Sequence, residues 1–166
     1  MSDEKKEAIQ SQLQPTPQMT IGAGNRNAKG LPVDADGKRD WSFPLFGCLG
    51  DMSKCCWACW CPCIIHSQTR RRLDHLNRNG VPDPNPDKKI NGDSVVYALI
   101  EAAFDMGWVL QIATRKDIRT RYNIRGSATS DCCTPFCCTA CDLVQGAREV
   151  ELEELSFKNE SGAPQV

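Results

Sequence analysis

The chain has 166 residues, with 20 Lys and Arg against 21 Asp and Glu, and 11 of its residues are cysteine. This charge balance excludes a dedicated nucleic-acid binder, because binding to phosphates by counterion release requires an excess of cations. The N-terminal stretch "MSDEKKEAIQSQLQPTPQ" is polar and holds no apolar h-region, so we expect a protein that is not secreted. In a reducing compartment, dense cysteines indicate metal binding or catalysis more often than disulfides, which makes disulfide stapling the least favoured interpretation.

The composition divides the chain into one folded region and two tails. Residues 1–40 are rich in Gln, Pro, Gly, Asn and Lys, and they hold too little apolar surface to offset the entropy of ordering, so we predict a disordered tail. The apolar cluster in "DWSFPLFGCLGD" marks the start of order. We therefore predict a Cys-rich domain over residues 41–156 and a second disordered tail over residues 157–166.

The first group of thiols follows in "CCWACWCPCII", which places five cysteines within nine residues and includes no charged side chain. Three chemistries can explain such a stretch: disulfides, metal binding by thiolates, and fatty acylation at a membrane surface. Acylation is supported by Trp57 and Trp60, which are aromatic residues of the kind found at membrane interfaces, and by the cationic run Arg70 to Arg72. The five cysteines of this group are Cys55, Cys56, Cys59, Cys61 and Cys63.

Helical patterns occupy much of the remaining chain. Ile65, Thr69, Leu73 and Leu76 recur at helical spacing, and Gly80 is a natural C-cap. The segment "VPDPNPDKKINGD" predicts a loop, since it contains three prolines. We then predict one long helix over residues 93–122, a break over 123–131, and a short amphipathic helix over 142–155.

The second group of thiols, "DCCTPFCCTAC", precedes that last helix. Zinc takes four thiolate or imidazole ligands, and a two-residue gap such as that between Cys138 and Cys141 lets one turn offer two sulfurs to one ion. Burial of the thiols as small apolar groups is the alternative, but clustering at two places favours two knuckles linked by metal. Soft ligands favour zinc, cadmium or copper(I) over magnesium and calcium. The predicted ligands are Cys55, Cys56, Cys59, Cys61, Cys63, Cys132, Cys138 and Cys141.

Neither histidine is required for this metal site. His66 and His75 fall in the basic helix, where we expect surface positions, although His66 is close enough to Cys63 to contribute a ligand. Catalysis by a thiolate requires a base and a third group that orients it, and only His66 suggests such a base. We therefore expect that the protein is not an enzyme.

The segment 95–113 is long enough to span a bilayer, but Glu101 and Asp105 interrupt it. Each acid costs about 2.5 to 3.5 kcal/mol at the centre of a membrane helix, so a lone helix exposed to lipid is disfavoured. One alternative is a buried helix whose acids pair with Arg70 to Arg72 or with arginines further along the chain. The other is a homo-oligomer in which Glu101 and Asp105 line a cation path.

Four motifs in order resemble the Cys-rich family named for placenta-specific gene eight, which includes plant cadmium-resistance and cell-number-regulator proteins. They are "WSFPLFGCLGD", "CCWACWCPCIIHSQ", "DIRTRYNIRGS" and "DCCTPFCCTACDLVQGAREV", and together they span roughly residues 41 to 150. The resemblance implies a small membrane-associated protein with a role in zinc or cadmium tolerance, calcium entry or organ size, and it implies no enzymatic activity. Plant members often carry a His where this chain has Pro135, so a metal site here uses another ligand, such as Cys133 or Cys137.

These observations predict a mostly α-helical fold, with three helices, two metal-linked Cys-rich knuckles and disordered tails. They predict a zinc-binding protein associated with the cytoplasmic face of a membrane, which contributes to handling of zinc and cadmium or to cation transport. The competing prediction is a soluble or peripheral interaction module in which zinc is purely structural.

Overall fold

The computed structural model describes residues 27–86 and 92–160 of the chain. Within these ranges the fold is mostly helical, as predicted, and contains six α-helices, one short 3₁₀ helix at Gly47–Gly50 and no strand beyond two isolated bridges. The number of helices exceeds the predicted three, because both thiol groups are themselves helical and the helix predicted over 93–122 is divided in two. The α-helices are α1 (Met52–Trp60), α2 (Pro62–Asn79), α3 (Gly92–Phe104), α4 (Gly107–Arg121), α5 (Ala128–Cys137) and α6 (Thr139–Glu160).

Helix α6 is the centre of the fold, since α1, α2, α4 and α5 all pack against it. Helix α3 contacts α2 and α4 instead, and so it lies at the edge of the bundle. The apolar core has two parts, one around Val150 and the other around Val144, both on α6. The first contains Leu73, Leu76, Ile118, Tyr122, Ile124 and Val150, and the second contains Ala58, Ile65, Leu143, Val144 and Ala147.

Helix α2 confirms the predicted pattern of apolar residues. Ile65, Thr69, Leu73 and Leu76 are all buried, because their spacing places them on one side of the helix. Gly80 ends the helix in a left-handed conformation with φ of 68°, and its N–H donates to the Leu76 carbonyl. Glycine adopts this conformation without a Cβ clash, which explains why the helix stops there.

The prediction of one long helix over 93–122 is wrong, since the chain breaks between α3 and α4. Asp105 has a φ of 54°, which interrupts the helical hydrogen bonds. The Gly107 N–H donates to Glu101 Oε2 at 2.7 Å, and a Cβ at this glycine would overlap the Tyr97 ring. The break is therefore fixed by packing of Gly107 against α3, a tertiary contact that helix propensity does not report.

The ordered region extends beyond both ends of the predicted domain. Arg39 is only 3% exposed and pairs with Glu149 on α6, although it lies in the predicted N-terminal tail. At the other end α6 continues to Glu160, and Phe157 packs against the core. The rest of the two predicted tails, residues 1–26 and 161–166, lies outside the described residues.

Candidate functional site

The first thiol group lies on two consecutive helices and does not form an open turn. Asp51 caps α1 by accepting a hydrogen bond from the Lys54 N–H, and Cys55, Cys56 and Cys59 follow within this helix. Spacings of three and four residues suit one face of a helix as well as they suit a turn, so the sequence alone did not separate the two conformations. Cys61 forms the junction with α2, where Pro62 occupies the first turn and Cys63 follows it.

Two thiols influence the titration of Cys55. They belong to Cys48 of the 3₁₀ helix and to Cys59, one turn further along α1. Burial and the interactions with these two thiols raise the pKa of Cys55 to about 11, because a thiolate there would be desolvated and would face neighbouring sulfurs. Cys48 was not among the predicted ligands. The feature of the sequence that could have identified Cys48 is its position seven residues before Cys55, between Gly47 and Gly50.

The second thiol group occupies α5 and the start of α6. Cys132, Cys133 and Cys137 are free and exposed on α5, whose N-terminus is closed by a capping box between Ser127 and Ser130. Cys138 and Cys141 are joined by a disulfide. A disulfide sulfur offers no thiolate to zinc, so metal ligation by these two residues stays a prediction for the reduced chain.

The thiols of α1 and those of α5 lie on helices that are separated in the described part of the chain. Helices α1 and α5 both pack on α6, but they make no contact with each other. Across residues 27–86 and 92–160, no three His, Cys, Asp or Glu side chains form a group that could hold a metal ion. The metal link between two knuckles is therefore not confirmed, and the remaining predicted ligands stay predictions.

Glu101 and Asp105 lie at the break between α3 and α4. The Glu101 carboxylate accepts a hydrogen bond from the backbone of Gly107 and so caps α4. Its negative charge also helps to raise the pKa of Cys63, after burial and the charge of Cys61. Asp105 is exposed at the turn. This arrangement gives Glu101 a structural role, while a cation path through both acids stays a prediction.

The arginine run is engaged in ion pairs with acids other than Glu101 and Asp105. Arg70 pairs with Asp117 at 2.5 Å, and Arg71 pairs with Asp83 at 2.8 Å. Arg72 lies 3.7 Å from Glu154 on α6. The predicted pairing of this run with the acids of segment 95–113 is therefore replaced by contacts that fasten α2 to its neighbours.

His66 is buried, which corrects the expectation of a surface position. Its Nε2 lies 3.2 Å from Thr114 Oγ1, and its ring lies 4.9 Å from the ring of Tyr97. Burial lowers the pKa of His66 to about 4, because the charged imidazolium would lose its hydration there. The histidine faces a small cavity that Gln111 and Arg115 also line. It therefore acts as a neutral core residue of the bundle.

Helix α3 exposes an apolar face. Only Ser94 and Tyr97 of this helix are buried, while Leu99 is 64% exposed and Phe104 is 71% exposed. The exposed positions fall within one broad arc of the helix and include no charged residue after Asp93. The exposed residues after Asp93 are Val95, Val96, Ala98, Leu99, Ala102, Ala103 and Phe104.

Among the described helices, none combines the length and the apolar character that crossing a bilayer requires.

Comparison with known proteins places most of the folded region in one group. The profile of the PLAC8 family matches residues 41–149. Protein PLANT CADMIUM RESISTANCE 2 of Arabidopsis thaliana is 28% identical over 124 residues, which cover 75% of this chain and 75% of that protein. Cell number regulator 7 of Zea mays is 26% identical over 132 residues, which cover 76% of this chain and 68% of the relative. Protein PLANT CADMIUM RESISTANCE 1 of Arabidopsis thaliana is 29% identical over 112 residues, with 68% of each chain covered. No solved structure matches the chain.

Proposed function

The chain belongs to the PLAC8 family, and from that membership we propose that it binds soft heavy-metal ions through cysteine thiolates at a membrane surface. Two relatives carry cadmium resistance in their names. Zinc and cadmium are the ions that suit sulfur ligands at this density. In this proposal the metal is cargo of the protein, and the protein binds it without catalysing a reaction.

The observation that carries the proposal is the electrostatic interaction of Cys55 with the nearby thiols Cys48 and Cys59. A thiol with a pKa of about 11 is protonated at neutral pH, so metal binding here releases protons and becomes tighter as the pH rises. The ion draws the three sulfurs into its coordination shell, which requires rotation of their side chains. Cys56 is exposed on the same helix, and in this proposal it supplies a further thiolate.

Membrane attachment is proposed for the apolar face of α3. A contiguous exposed apolar surface of this kind is unusual for a protein that stays monomeric in water. A helix with such a face can lie in the interfacial region of a bilayer without crossing it. The exposed cysteines Cys132, Cys133 and Cys137 are in addition accessible to acylation.

The test is to measure metal content and free thiols together on protein purified without chelator or added metal. We expect at least one zinc per chain, and thiols of α1 that react with a thiol reagent only after chelation. A Cys55→Ser/Cys59→Ser variant should lose this metal, whereas a Cys133→Ser/Cys137→Ser variant with the same number of thiols removed should retain it. Absence of metal together with fully reactive or lipid-blocked thiols contradicts the proposal.

A membrane wash separates the two predicted classes of protein. Protein attached through α3 and acyl chains should remain with membranes in high salt and in carbonate. Complete release by either treatment would favour the interaction module in which zinc is purely structural.

A further inference from the structure

The disulfide between Cys138 and Cys141 lies at the junction of α5 and α6. The Cys138 N–H donates to the Thr134 carbonyl, which closes α5. The Cys138 carbonyl accepts the N–H of Asp142 at 3.1 Å, which opens α6. Cys138 is thus the residue that caps a 22-residue helix, and Cys141 lies in the first turn of the same helix.

The two sulfurs differ in their access to solvent. Cys138 is partly exposed, whereas Cys141 is 7% exposed and faces the interior. A thiolate arriving from solvent therefore reaches Cys138 first. The N-terminus of α6 favours negative charge at Cys138, which supports this sulfur both when it attacks a disulfide and when it leaves one.

This disulfide is poorly suited to stabilise the fold. It closes a loop with a sequence separation of three, and the entropy that a cross-link removes from the unfolded chain grows with the length of the loop. The neighbouring contacts already hold this junction, since the Thr139 hydroxyl donates to the Pro135 carbonyl at 2.9 Å. The other nine cysteines of the chain are all free. A single short disulfide beside nine free thiols points to chemistry at this pair.

We propose that Cys138 and Cys141 form a thiol–disulfide exchange site whose substrates are external thiols and disulfides of the glutathione type. In the reductive direction an external thiolate attacks Cys138 Sγ, forms a mixed disulfide and releases Cys141 as a thiolate. A second external thiolate then attacks the external sulfur of the mixed disulfide and releases Cys138. Two electrons pass to the protein, two protons are taken from solvent, and the external thiols leave as one disulfide.

The reverse sequence oxidises the pair. Cys138 thiolate attacks an external disulfide and displaces one thiolate, and Cys141 then attacks Cys138 Sγ and displaces the other. This site uses none of the thiols around Cys55, so it is separate from the metal site proposed there.

The experiment equilibrates the purified full-length chain with graded ratios of reduced to oxidised glutathione, then quenches with acid, alkylates the free thiols and analyses the peptides by mass. We expect the 138–141 pair to change between dithiol and disulfide in one two-electron transition within the range of the buffer. A pair that stays oxidised at every ratio while the chain remains folded is a structural disulfide and overturns the proposal. A pair that stays reduced at every ratio overturns it as well.

Trapping the intermediate identifies the attacked sulfur. A Cys141→Ser variant cannot resolve the mixed disulfide and should accumulate glutathione on Cys138, about tenfold more than on the exposed neighbour Cys137. Equal labelling of Cys138 and Cys137 contradicts the proposal. The Cys55→Ser/Cys59→Ser variant lacks the thiols of the proposed metal site and should show an unchanged redox transition of the 138–141 pair. Failure of metal binding can therefore be distinguished from failure of exchange.

Discussion

Arg39 Nη2 lies 2.6 Å from Glu149 Oε1 in a buried ion pair that joins positions 110 residues apart. Glu149 is 1% exposed, and it also accepts hydrogen bonds from the Ser42 N–H at 3.0 Å and from the Ser42 hydroxyl at 2.8 Å. One carboxylate on α6 therefore holds the segment that precedes the first helix. A buried charge is tolerated here because the carboxylate is paired with Arg39 and accepts two further hydrogen bonds from Ser42.

Removal of the arginine should leave that charge without its ion-pair partner. For Arg39→Met we expect a loss of about 3 to 5 kcal/mol in the free energy of unfolding, since the Glu149 carboxylate stays buried. Urea denaturation followed by circular dichroism measures this value.

The matched control is Arg39→Met/Glu149→Gln, which removes both charges and keeps an acceptor for Ser42. The double variant should be more stable than Arg39→Met alone. If the double variant loses as much free energy of unfolding as Arg39→Met, or more, the two side chains stabilise the fold through packing and not through charge.

Gly107 is the second position where a small change has a large predicted effect. A Cβ added there would overlap Glu101 Oε2 and would lie 2.6 Å from Tyr97 Cζ. Because Tyr97 is fully buried and cannot move away, we expect Gly107→Ala to lower the free energy of unfolding by about 1 to 3 kcal/mol. Thermal or urea unfolding is the measurement.

Gly92, the first residue of α3, offers the control. A Cβ at this position meets nothing within 4 Å. Gly92→Ala should therefore leave stability unchanged or raise it slightly, because alanine lowers the entropy of the unfolded chain. Equal destabilisation by both substitutions would contradict the role assigned to packing at Gly107.

These positions show what could be predicted from the sequence. The helical spacing of Leu73 and Leu76 and the C-cap at Gly80 predicted α2, since both signals are local in the chain. The break at Asp105 was missed because Gly107 must fit against Tyr97, a contact that no local pattern reports. The burial of His66 was missed for the same reason, since its neighbour Thr114 is 48 residues away in the chain. The dense thiols were recognised from sequence, but their spacing did not distinguish helix from knuckle.

Burial of neutral His66 makes stability depend on pH. The folded pKa of about 4 lies below the ordinary histidine pKa of 6.5, so the unfolded chain binds the extra proton between these values. The stability of the fold with neutral His66 is fully present above pH 6.5, and it is lost as the pH falls towards 4 and the unfolded chain takes up the proton. Between pH 7 and pH 5 we expect His66 to reduce the free energy of unfolding by about 2 kcal/mol.

Comparison with His66→Gln isolates this effect from that of other titrating groups. The burial of Asp142 raises its pKa to about 6 and gives the opposite slope, but this contribution is common to both chains. The free energy of unfolding of the unchanged chain, minus that of His66→Gln, should therefore be smaller at pH 5 than at pH 7. Urea denaturation at the two pH values measures both free energies. A difference between the two chains that does not change with pH would rule out His66 as the cause.

The apolar face of α3 gives a prediction for membrane binding. In Val95→Ser/Leu99→Ser two exposed apolar side chains are replaced without loss of a core contact. Because burial of a leucine is worth about 1.5 to 3 kcal/mol, we expect the partition coefficient to phosphatidylcholine vesicles to fall by at least about tenfold. Co-sedimentation with the vesicles measures it.

Val81 supplies the comparison, since it is 50% exposed on the loop after α2. Val81→Ser should bind vesicles as the unchanged chain does. Equal binding by the α3 variant and the unchanged chain would remove this face from the proposed mechanism of attachment.

The central position of α6 has a consequence for synthesis on the ribosome. Four of the five other α-helices complete their packing only against α6, which is the last of them to be translated. Until α6 emerges, α1 and α5 and the cysteines on them lack the helix against which these two helices pack. Metal ions, acyl groups and oxidants therefore meet these cysteines first on an open chain, before the bundle closes.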